Sequence, residues 1–336
     1  MIELDGAQGE AGGQVLRSAL ALSVGTRQPF RFTNIRMHRE MPGLLRQHLA
    51  AINAAADVSN ADTQGAQLGS RELVFRPRRC HAGEYTFTLV SGGACSLVLQ
   101  TVLPALLLAD GPSVVRITGC THTKTAPPFD FLQRAFVPLV ERMGARVKLS
   151  LSGYGFHPQI TGGLQAEIVP APLRAISIDE RGARVSQFAE AYVASLPTEL
   201  AQRELLTLSR HLHWNTDQLH LRSLPSAVGK GNAITVTLAY QHITEVFTGF
   251  GEAGVRGEVV AQSLAEEVEA YLARSAPVAS YLADQLLLPM ALSGRGSFVT
   301  TTLSPHLLSN AIVIQQFTGR KVVADPYMDG YRVTIA

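Results

Sequence analysis

Cysteine is scarce in this sequence of 336 residues, which contains three, at Cys80, Cys95 and Cys120. Their number is odd, and no two of them have the CxxC spacing of a metal-binding pair. A disulfide framework and a cysteine-rich zinc site are therefore not expected, and unpaired thiols are typical of a reducing compartment. We accordingly expect a cytoplasmic protein.

Long apolar runs are missing as well, and charge is sparse. The longest apolar stretch, residues 97–109, is interrupted by Gln100 and Pro104 and is shorter than the about 20 residues that span a bilayer. The acidic start, MIELD, lacks the basic region of a signal peptide, so we expect no membrane partner. Charged residues make up 17% and the formal net charge is +2, which excludes a uniformly basic nucleic-acid coat but allows a local basic cleft.

The familiar nucleotide-binding motifs are absent, although a glycine-rich loop is present. The segment DGAQGEAGGQVLRSAL, residues 5–20, leads into an apolar helix but matches neither GxxxxGK[ST] nor GxGxxG. A glycine-rich loop before a helix is still typical of a phosphate site. Glu10 in this loop is either a solvated charge or a ligand of a divalent metal that substrate oxygens also hold. The segment YMDG, residues 327–330, lacks the lysine of the KxDG nucleotidyl transferases, so a covalent nucleotide would need another acceptor.

A threefold internal repeat organises the chain. Three apolar helices, which begin near Gly13, Cys95 and Tyr281, each end at a glycine. A β-rich run, a polar loop and a second helix follow each of them, and further strands close each unit. We therefore predict an α/β fold in which each unit is β-rich and carries two helices on one face.

The spacing of the repeats indicates an insertion. Pro104 and Pro289 occupy equivalent places in the second and third helices, and they lie farther apart than Leu16 and Leu99 by roughly 100 residues, the size of a small domain. The alternative is one irregular domain. We predict a large domain that is interrupted by a smaller inserted α/β domain. The large domain is predicted at residues 1–181 and 277–336, and the insert at residues 182–276.

Polar side chains recur at one position of the three apolar helices. Arg17, Gln100 and Gln285 each lie four residues before an equivalent alanine or proline. They either form a pseudo-symmetric structural hydrogen bond or direct donors from three helices at one cleft. The loops after the strands add polar residues at the same end of the units, where layered folds place their chemistry. These loop residues are Arg36, Arg39, Thr121, His122 and His306.

His306 is the most suggestive of these loop residues. It follows a Ser-Pro pair that ends a strand, and it precedes an apolar stretch that is predicted to be helical. A helix N-terminus favours negative charge such as a phosphate. A histidine beside a phosphate can act as acid, base or nucleophile, or only as a cap. The arginines of the first unit suit phosphate oxygens and favour recognition of a strand end, unless they are surface charges.

Six motifs together resemble the RNA 3′-terminal phosphate cyclase family. In chain order they are DGAQGEAGGQVLRSAL (5–20), PGLLRQHL (42–49), CSLVLQTVLPAL (95–106), APPFDF (126–131), YLADQLLLPMAL (281–292) and HLLSN (306–310). The resemblance implies a fold of three repeated βαβαββ-like units with an inserted small α/β domain. It also implies a ligase-class enzyme that uses ATP to convert an RNA 3′-terminal phosphate to a 2′,3′-cyclic phosphodiester. The implied intermediates are an adenylated histidine and an RNA-(3′)pp(5′)A end.

The resemblance assigns a role to each matching residue. His306 matches the histidine that becomes adenylated, and Glu10 matches a glutamate that binds a divalent metal, Mg²⁺ or Mn²⁺. Pro127 and Tyr281 match the pair that sandwiches adenine. The residues that match the lining of the ATP pocket are Gln100, Asp284 and Gln285. The residues that match contacts to the RNA terminal phosphate are Arg17, Arg36, Arg39 and Gln47.

Two other functions fit parts of the pattern. A catalytically inactive cyclase-like protein of ribosome assembly would bind RNA on the same fold, but such relatives lack the histidine that is present here as His306. An enolpyruvyl transferase shares the repeat fold, but those chains typically have six repeats and use no histidine nucleophile. Three units with one insert therefore favour the cyclase.

Overall fold

The computed structural model describes residues 1–7, 12–90, 92–156 and 162–336. Within these ranges the strands form four sheets of four strands each. Three of the sheets repeat one topology. The fourth sheet belongs to a segment that interrupts the third repeat, after its first strand.

The first repeat alternates strands and helices from the start of the chain. Its elements are β1 (Ile2–Asp5), α1 (Gly13–Thr26), β2 (Phe30–Thr33), α2 (Arg46–Ser59), β3 (Asp62–Gln64) and β4 (Leu73–Arg76). The strands lie in the order β1-β2-β4-β3, with β1 and β2 parallel and the other pairs antiparallel. Phe30 and Phe32 are buried and Arg31 between them is exposed, so the alternation along β2 gives the sheet one apolar face.

The second repeat has the same strand order, β5-β6-β8-β7. Its elements are β5 (Glu84–Thr88), α3 (Cys95–Leu106), β6 (Ser113–Gly119), α4 (Phe129–Phe131), α5 (Val137–Arg142), β7 (Arg146–Gly153) and β8 (Gly162–Val169). A π-helical turn, Leu132–Phe136, separates α4 from α5, where the sequence predicted one continuous helix. Pro138 explains the interruption, because it has no N–H to donate to the carbonyl of Arg134.

The third repeat begins with β9 (Ser177–Ile178) and is then interrupted. The inserted elements are β10 (Arg184–Ala194), α6 (Thr198–Leu212), β11 (Leu219–Leu224), β12 (Gly231–Tyr240), β13 (Thr244–Phe250) and α7 (Gly257–Leu272). They form a sheet in the order β11-β10-β12-β13, with α6 and α7 in mutual contact. All of these elements lie within residues 182–276, although the division of the chain into two domains at those bounds stays a prediction.

The chain then returns to complete the third repeat. Its remaining elements are α8 (Ser280–Ser293), β14 (Gly296–Thr300), α9 (Pro305–Thr318), β15 (Val322–Tyr327) and β16 (Gly330–Ile335). The order β9-β14-β16-β15 matches the other two repeats, with β9 and β14 parallel and the rest antiparallel. The predicted repeated α/β fold is therefore confirmed, and each repeat is a βαβαββ unit.

The helix ends differ in part from the sequence prediction. A glycine ends α8 as expected, since Gly294 adopts the left-handed conformation with φ 99° just after the last turn. In contrast, α1 continues past Gly25 and is capped by Arg27, which takes the left-handed conformation with φ 56°. The prediction of a glycine end is thus wrong for α1, because a non-glycine residue accepts the left-handed cap. It is also wrong for α3, which ends at Leu106, before the chain reaches Gly111, and has Leu107 in the right-handed conformation as its cap.

The helices of the three repeats pack into one layer around α1. Helix α1 contacts α2, α3, α8 and α9, and α3 also contacts α8. One apolar core runs through all three repeats, and a separate apolar cluster fills the insert between its sheet and its two helices. Residues from the first two turns of α1, α3 and α8 line one common cavity, so these helix starts lie on the same side of the layer. Across the described ranges, no helix combines the length and apolar character needed to cross a membrane.

A buried glutamate makes the stability of the insert depend on pH. Glu204 of α6 is 0% exposed, and its Oε1 accepts a hydrogen bond of 2.6 Å from Asn232. Its Oε2 has no hydrogen-bond partner among the described residues. Burial raises the pKa of Glu204 from 4.5 to about 7. Between these two pH values the folded protein keeps a proton on Glu204 that the unfolded chain has lost. The contribution of protonated Glu204 to the free energy of unfolding is therefore fully present below pH 4.5 and is lost as the pH rises through 7.

We expect the loss of this proton to lower the free energy of unfolding by about 3 kcal/mol between pH 5 and pH 9. The variant Glu204→Gln should lack this contribution, because a glutamine stays neutral at both pH values. Denaturant unfolding at the two pH values measures the difference. Glu199→Gln, an exposed change on the same helix, should keep the wild-type pH dependence. An identical pH dependence in wild type and Glu204→Gln would refute the assignment.

Candidate active site

A cavity of about 720 Å³ lies between the helical layer of the repeats and one side of the insert. The repeats contribute the side that carries the residues predicted from the sequence, and the insert contributes residues of β13 and α7. The predicted residues that line it are Arg17, Gln100, Pro127, Tyr281, Asp284, Gln285 and His306. A cavity of this size can hold a nucleotide. Seven positions spread over the whole chain therefore meet in one place.

His306 lies in the first turn of α9, as predicted. Ser304 caps this helix, because its Oγ accepts a hydrogen bond of 2.9 Å from the N–H of Leu307. Pro305 occupies the first helical position, where its missing N–H costs no hydrogen bond. The imidazole of His306 is exposed to the cavity beside the positive end of the helix dipole. An anionic group that binds there lies within reach of the ring.

Asp284 joins the two helices of the third repeat at the cavity wall. It is buried in α8, and its Oδ1 accepts a hydrogen bond from the hydroxyl of Ser304. The same hydroxyl caps α9, so it donates to Asp284 and accepts from the helix at once. Because of this shared hydroxyl, the position of α8 determines the position of the turn that carries His306.

The three pseudo-equivalent polar residues also meet. Gln100 of α3 donates from Nε2 to Oε1 of Gln285 on α8. Together with Arg17 of α1 they line both the large cavity and an adjacent smaller cavity of about 30 Å³. The sequence left two alternatives, a structural hydrogen bond between repeats and three polar side chains at one cleft. The structure has features of both, because the Gln100–Gln285 bond joins two repeats and all three side chains line the cavity.

Two side chains with flat faces, Tyr281 and Pro127, line the same cavity. Tyr281 is in the first turn of α8 and is 61% exposed, and Pro127 is in the loop before α4. Burial of part of the phenol, with the carboxylates of Glu267 and Asp284 nearby, raises the pKa of Tyr281. The tyrosine ring is thus neutral near pH 7. It offers a planar apolar surface of the kind that stacks on a base.

His48, which the sequence left without a role, lies beside Arg17. It is buried in α2, and its Nδ1 accepts a hydrogen bond of 2.9 Å from the N–H of Leu45. Its Nε2 is then the protonated nitrogen, and neither this atom nor Nε of Arg17 has a hydrogen-bond partner among the described residues. Burial, followed by the positive charges of Arg17 and Arg36, lowers the pKa of His48 to about 4.

Gly13 allows these two donors to approach the start of α1. A Cβ atom at this position would lie 2.6 Å from Nε2 of His48 and 3.0 Å from Nη1 of Arg17. Any side chain here would therefore displace them. Burial also lowers the pKa of Arg17 to about 10, which leaves the guanidinium charged near pH 7. A neutral N–H, a positive charge and a helix N-terminus converge here, a set that suits a phosphate.

The remaining predicted residues lie next to this group rather than in the cavity wall. Arg36, in the loop between β2 and α2, has a left-handed backbone with φ 56°. Burial and then the charge of Arg39 lower the pKa of Arg36, so these two arginines are close together. Gln47 is exposed in the first turn of α2, next to His48. Glu10, the predicted metal ligand, lies outside the described residues.

One family model and two known proteins that match this sequence carry the same description. A family model described as RNA 3′-terminal phosphate cyclase matches residues 8–324. A protein of that name from Ectopseudomonas mendocina is 48% identical over 322 residues, which cover 96% of this chain and 94% of that protein. Another from Ralstonia nicotianae is 48% identical over 318 residues, which cover 94% of this chain and 91% of that protein.

A solved structure gives a much weaker likeness. The enolpyruvyl transferase NikO from Streptomyces tendae matches with a TM-score of 0.30 and 14% identity, over 71% of this chain and 44% of that one. A likeness at this level gives the enolpyruvyl transferase alternative no support.

Proposed function

The chain belongs to the RNA 3′-terminal phosphate cyclase family and is an enzyme, and on that premise we propose that it uses ATP to convert an RNA 3′-terminal phosphate to a 2′,3′-cyclic phosphodiester. The observation that carries this proposal is the position of His306 in the capped first turn of α9, exposed to the large cavity. The resemblance implies that inactive RNA-binding relatives lack this histidine, so its presence favours the enzyme.

In the first proposed step, the imidazole of His306 attacks the α-phosphorus of ATP. A nitrogen–phosphorus bond forms as the bond to pyrophosphate breaks, which leaves AMP on the histidine. The N-terminus of α9 stabilises negative charge on the phosphate. The Asp284–Ser304 hydrogen bond holds the turn that presents the ring. Tyr281 and Pro127 hold adenine between them, and Gln100 and Gln285 complete the pocket.

The second and third proposed steps transfer and then release AMP. An oxygen of the RNA 3′-phosphate attacks the adenylate phosphorus and the histidine leaves, which gives an RNA-(3′)pp(5′)A end. The vicinal 2′-OH then attacks the 3′-phosphorus, AMP leaves, and the cyclic phosphodiester remains. A phosphate monoester dianion resists attack, so AMP is needed as a leaving group. The ribose already holds the 2′-OH close to the phosphorus, which lowers the entropic barrier.

The RNA terminal phosphate is proposed to bind beside the cavity, where Arg17 and His48 have unpartnered donors within the described residues. Arg17 supplies charge, and neutral His48 supplies an N–H that Leu45 holds in place. Arg36, Arg39 and Gln47 extend the same surface and are proposed to contact the end of the strand. Arg17 lines the large cavity too, so this site lies next to the proposed adenylate.

A divalent cation would neutralise charge on the triphosphate when bound. The described residues contain no group of three or more His, Cys, Asp or Glu side chains that could hold a metal ion. On the resemblance, Glu10 together with oxygens of the substrate would hold Mg²⁺ or Mn²⁺. We assign no step of the reaction to it.

The reaction can be tested on a short RNA with a labelled 3′-terminal phosphate. Incubation with ATP and Mg²⁺ or Mn²⁺ should make the end resistant to phosphatase, with one AMP and one pyrophosphate released per end. The same RNA with a 2′-deoxy terminal nucleotide should stop at the adenylated end, because the attacking hydroxyl is missing. An end that stays sensitive to phosphatase would overturn the proposal.

The role of His48 gives a separate prediction. His48→Leu removes the N–H donor and should raise the RNA concentration needed for half-maximal AMP transfer about tenfold, the value of one good hydrogen bond. His48→Gln keeps a donor and should lose less. Formation of the enzyme adenylate, measured without RNA, should stay near wild type in both. An equal loss in the two steps would instead indicate damage to the fold.

A further inference from the structure

Glu245 connects the insert to the helix that carries much of the ATP site. It lies in β13 and is 1% exposed. Its Oε1 accepts a hydrogen bond of 2.7 Å from the N–H of Ala279, the residue that directly precedes α8. The next residue along β13, Val246, lines the large cavity. One strand of the insert thus contacts both the cavity and the start of α8.

The segment between α7 and α8 is held from both sides, by Asp329 and Val299 of the third repeat, which bind Ser275 and Val278, and by residues in or next to the insert. The guanidinium of Arg181 donates to the carbonyls of Tyr271 and Ala276 at 2.8 and 2.6 Å, and it lies 3.7 Å from the centre of the Tyr271 ring. The hydroxyl of Tyr271 donates to the carbonyl of Pro277 at 2.8 Å. The bond from Ala279 to Glu245 is the last in this series before α8 begins.

Helix α8 has no side-chain cap of its own, because its N-cap residue is Ala279. The preceding residue, Val278, exchanges backbone hydrogen bonds with Val299 and Thr301 of the third repeat. The acceptor on Glu245 holds the next N–H, that of Ala279, so the two contacts together position the first turn. That turn carries Tyr281, and the next residues, Asp284 and Gln285, line the same cavity. Asp284 in turn holds Ser304, which caps the helix that bears His306. A shift at Ala279 would reach each of these side chains.

We propose that Glu245 is a positioning residue for the ATP site: through Ala279 it anchors the N-cap of α8 to the insert, and so it contributes to holding Tyr281 and Asp284 in place for the nucleotide. This inference rests on the proposed function, since it takes ATP to be the occupant of the cavity. The insert then contributes to nucleotide binding through the backbone of α8 as well as through the cavity wall. Burial raises the pKa of Glu245 to about 8, so a neutral glutamine is a close mimic of the side chain near pH 7.

The test compares Glu245→Ala with Glu245→Gln. Alanine removes the acceptor and should weaken ATP binding, measured by calorimetric titration, about tenfold. Transfer of AMP from preformed enzyme adenylate to RNA should change less than threefold, because the nucleotide is by then covalently held. Glutamine keeps a carbonyl oxygen for the N–H of Ala279 and should restore affinity to within about twofold of wild type.

Two further variants separate positioning from loss of structure. Ala279→Pro removes the donor while fitting the observed φ of −75°, and it should weaken ATP binding as Glu245→Ala does. The double variant should be little worse than either single variant. Glu204→Gln, another buried glutamate of the insert, should leave ATP affinity unchanged.

Wild-type ATP affinity in Glu245→Ala, or a loss in Glu245→Gln equal to that in Glu245→Ala, would overturn the inference. So would an equal loss in Glu204→Gln, because it would indicate a general effect of disturbing the insert. The titrations use an ATP analogue with a methylene bridge between the α- and β-phosphorus atoms, so that affinity is measured without formation of the adenylate. If wild type binds ATP but forms no adenylate, the proposed function fails while the comparison of these variants still decides the role of Glu245.

Discussion

His306→Ala should form no enzyme adenylate, and conversion of RNA 3′-phosphate ends should fall by about 10⁴-fold or more, because the proposed nucleophile is lost. The same variant should still cyclise an RNA-(3′)pp(5′)A end supplied ready-made, since the last step needs the 2′-OH and the leaving AMP but no histidine attack. Gel analysis of both substrates with one enzyme preparation measures the two activities together.

Loss of activity on 3′-phosphate ends with activity kept on RNA-(3′)pp(5′)A ends would identify His306 as the nucleophile of the first step. A variant that had lost its fold would fail on both substrates. His81→Ala, a change at an exposed histidine outside the cavity, should behave as wild type on both. If His306→Ala converts 3′-phosphate ends at a rate near wild type, His306 is not the nucleophile.

Arg17→Met should leave enzyme adenylation, the first step, largely intact and slow AMP transfer to RNA, the second step. The variant should form enzyme adenylate within about threefold of the wild-type rate, while AMP transfer to RNA falls by about 10²–10³-fold. Loss of two charge-assisted hydrogen bonds to a phosphate, each of about 1.5–3 kcal/mol, accounts for a decrease of this size. Methionine fills a similar volume, so the packing around the buried side chain is largely preserved. Mixing preformed adenylate with RNA in a single turnover measures the transfer step alone.

Arg76→Met is a suitable control, because Arg76 is an exposed arginine on β4 of the same repeat. It should leave both steps unchanged, which would show that the effect of Arg17 does not come from the net charge. Equal decreases of adenylation and transfer in Arg17→Met would place Arg17 in the nucleotide site rather than in the RNA phosphate site.

The repeat could be predicted because apolar helices with the same spacing recur along the chain. Aligning them placed Arg17, Gln100 and Gln285 at equivalent positions, and the structure brings all three to one cavity wall. Periodicity is informative here because each repeat must bury the same helix faces. The capped helix start at His306 also followed from local sequence, since a Ser-Pro pair before an apolar run determines its own geometry.

Contacts between distant segments could not be predicted in the same way. His48 follows Arg46 and Gln47 at the start of α2, and these sequence neighbours do not reveal that its ring approaches Gly13 and Arg17. Glu245 lies in an ordinary strand pattern, and its partner Ala279 is 34 residues away. Such pairs depend on how whole units pack, which periodicity does not encode. The π-helical turn after α4 shows the same limit at short range, although Pro138 was a local sign of it.

The most direct test of the central claim locates AMP on the protein. Wild-type protein is incubated with α-labelled ATP and Mg²⁺ or Mn²⁺, denatured, and digested for mass spectrometry. We expect one AMP on the peptide that contains His306, in a bond that survives alkali and hydrolyses in acid, as a phosphoramidate does. Label on a different residue, or no label on protein that binds ATP, would contradict the assignment of His306 as the nucleophile.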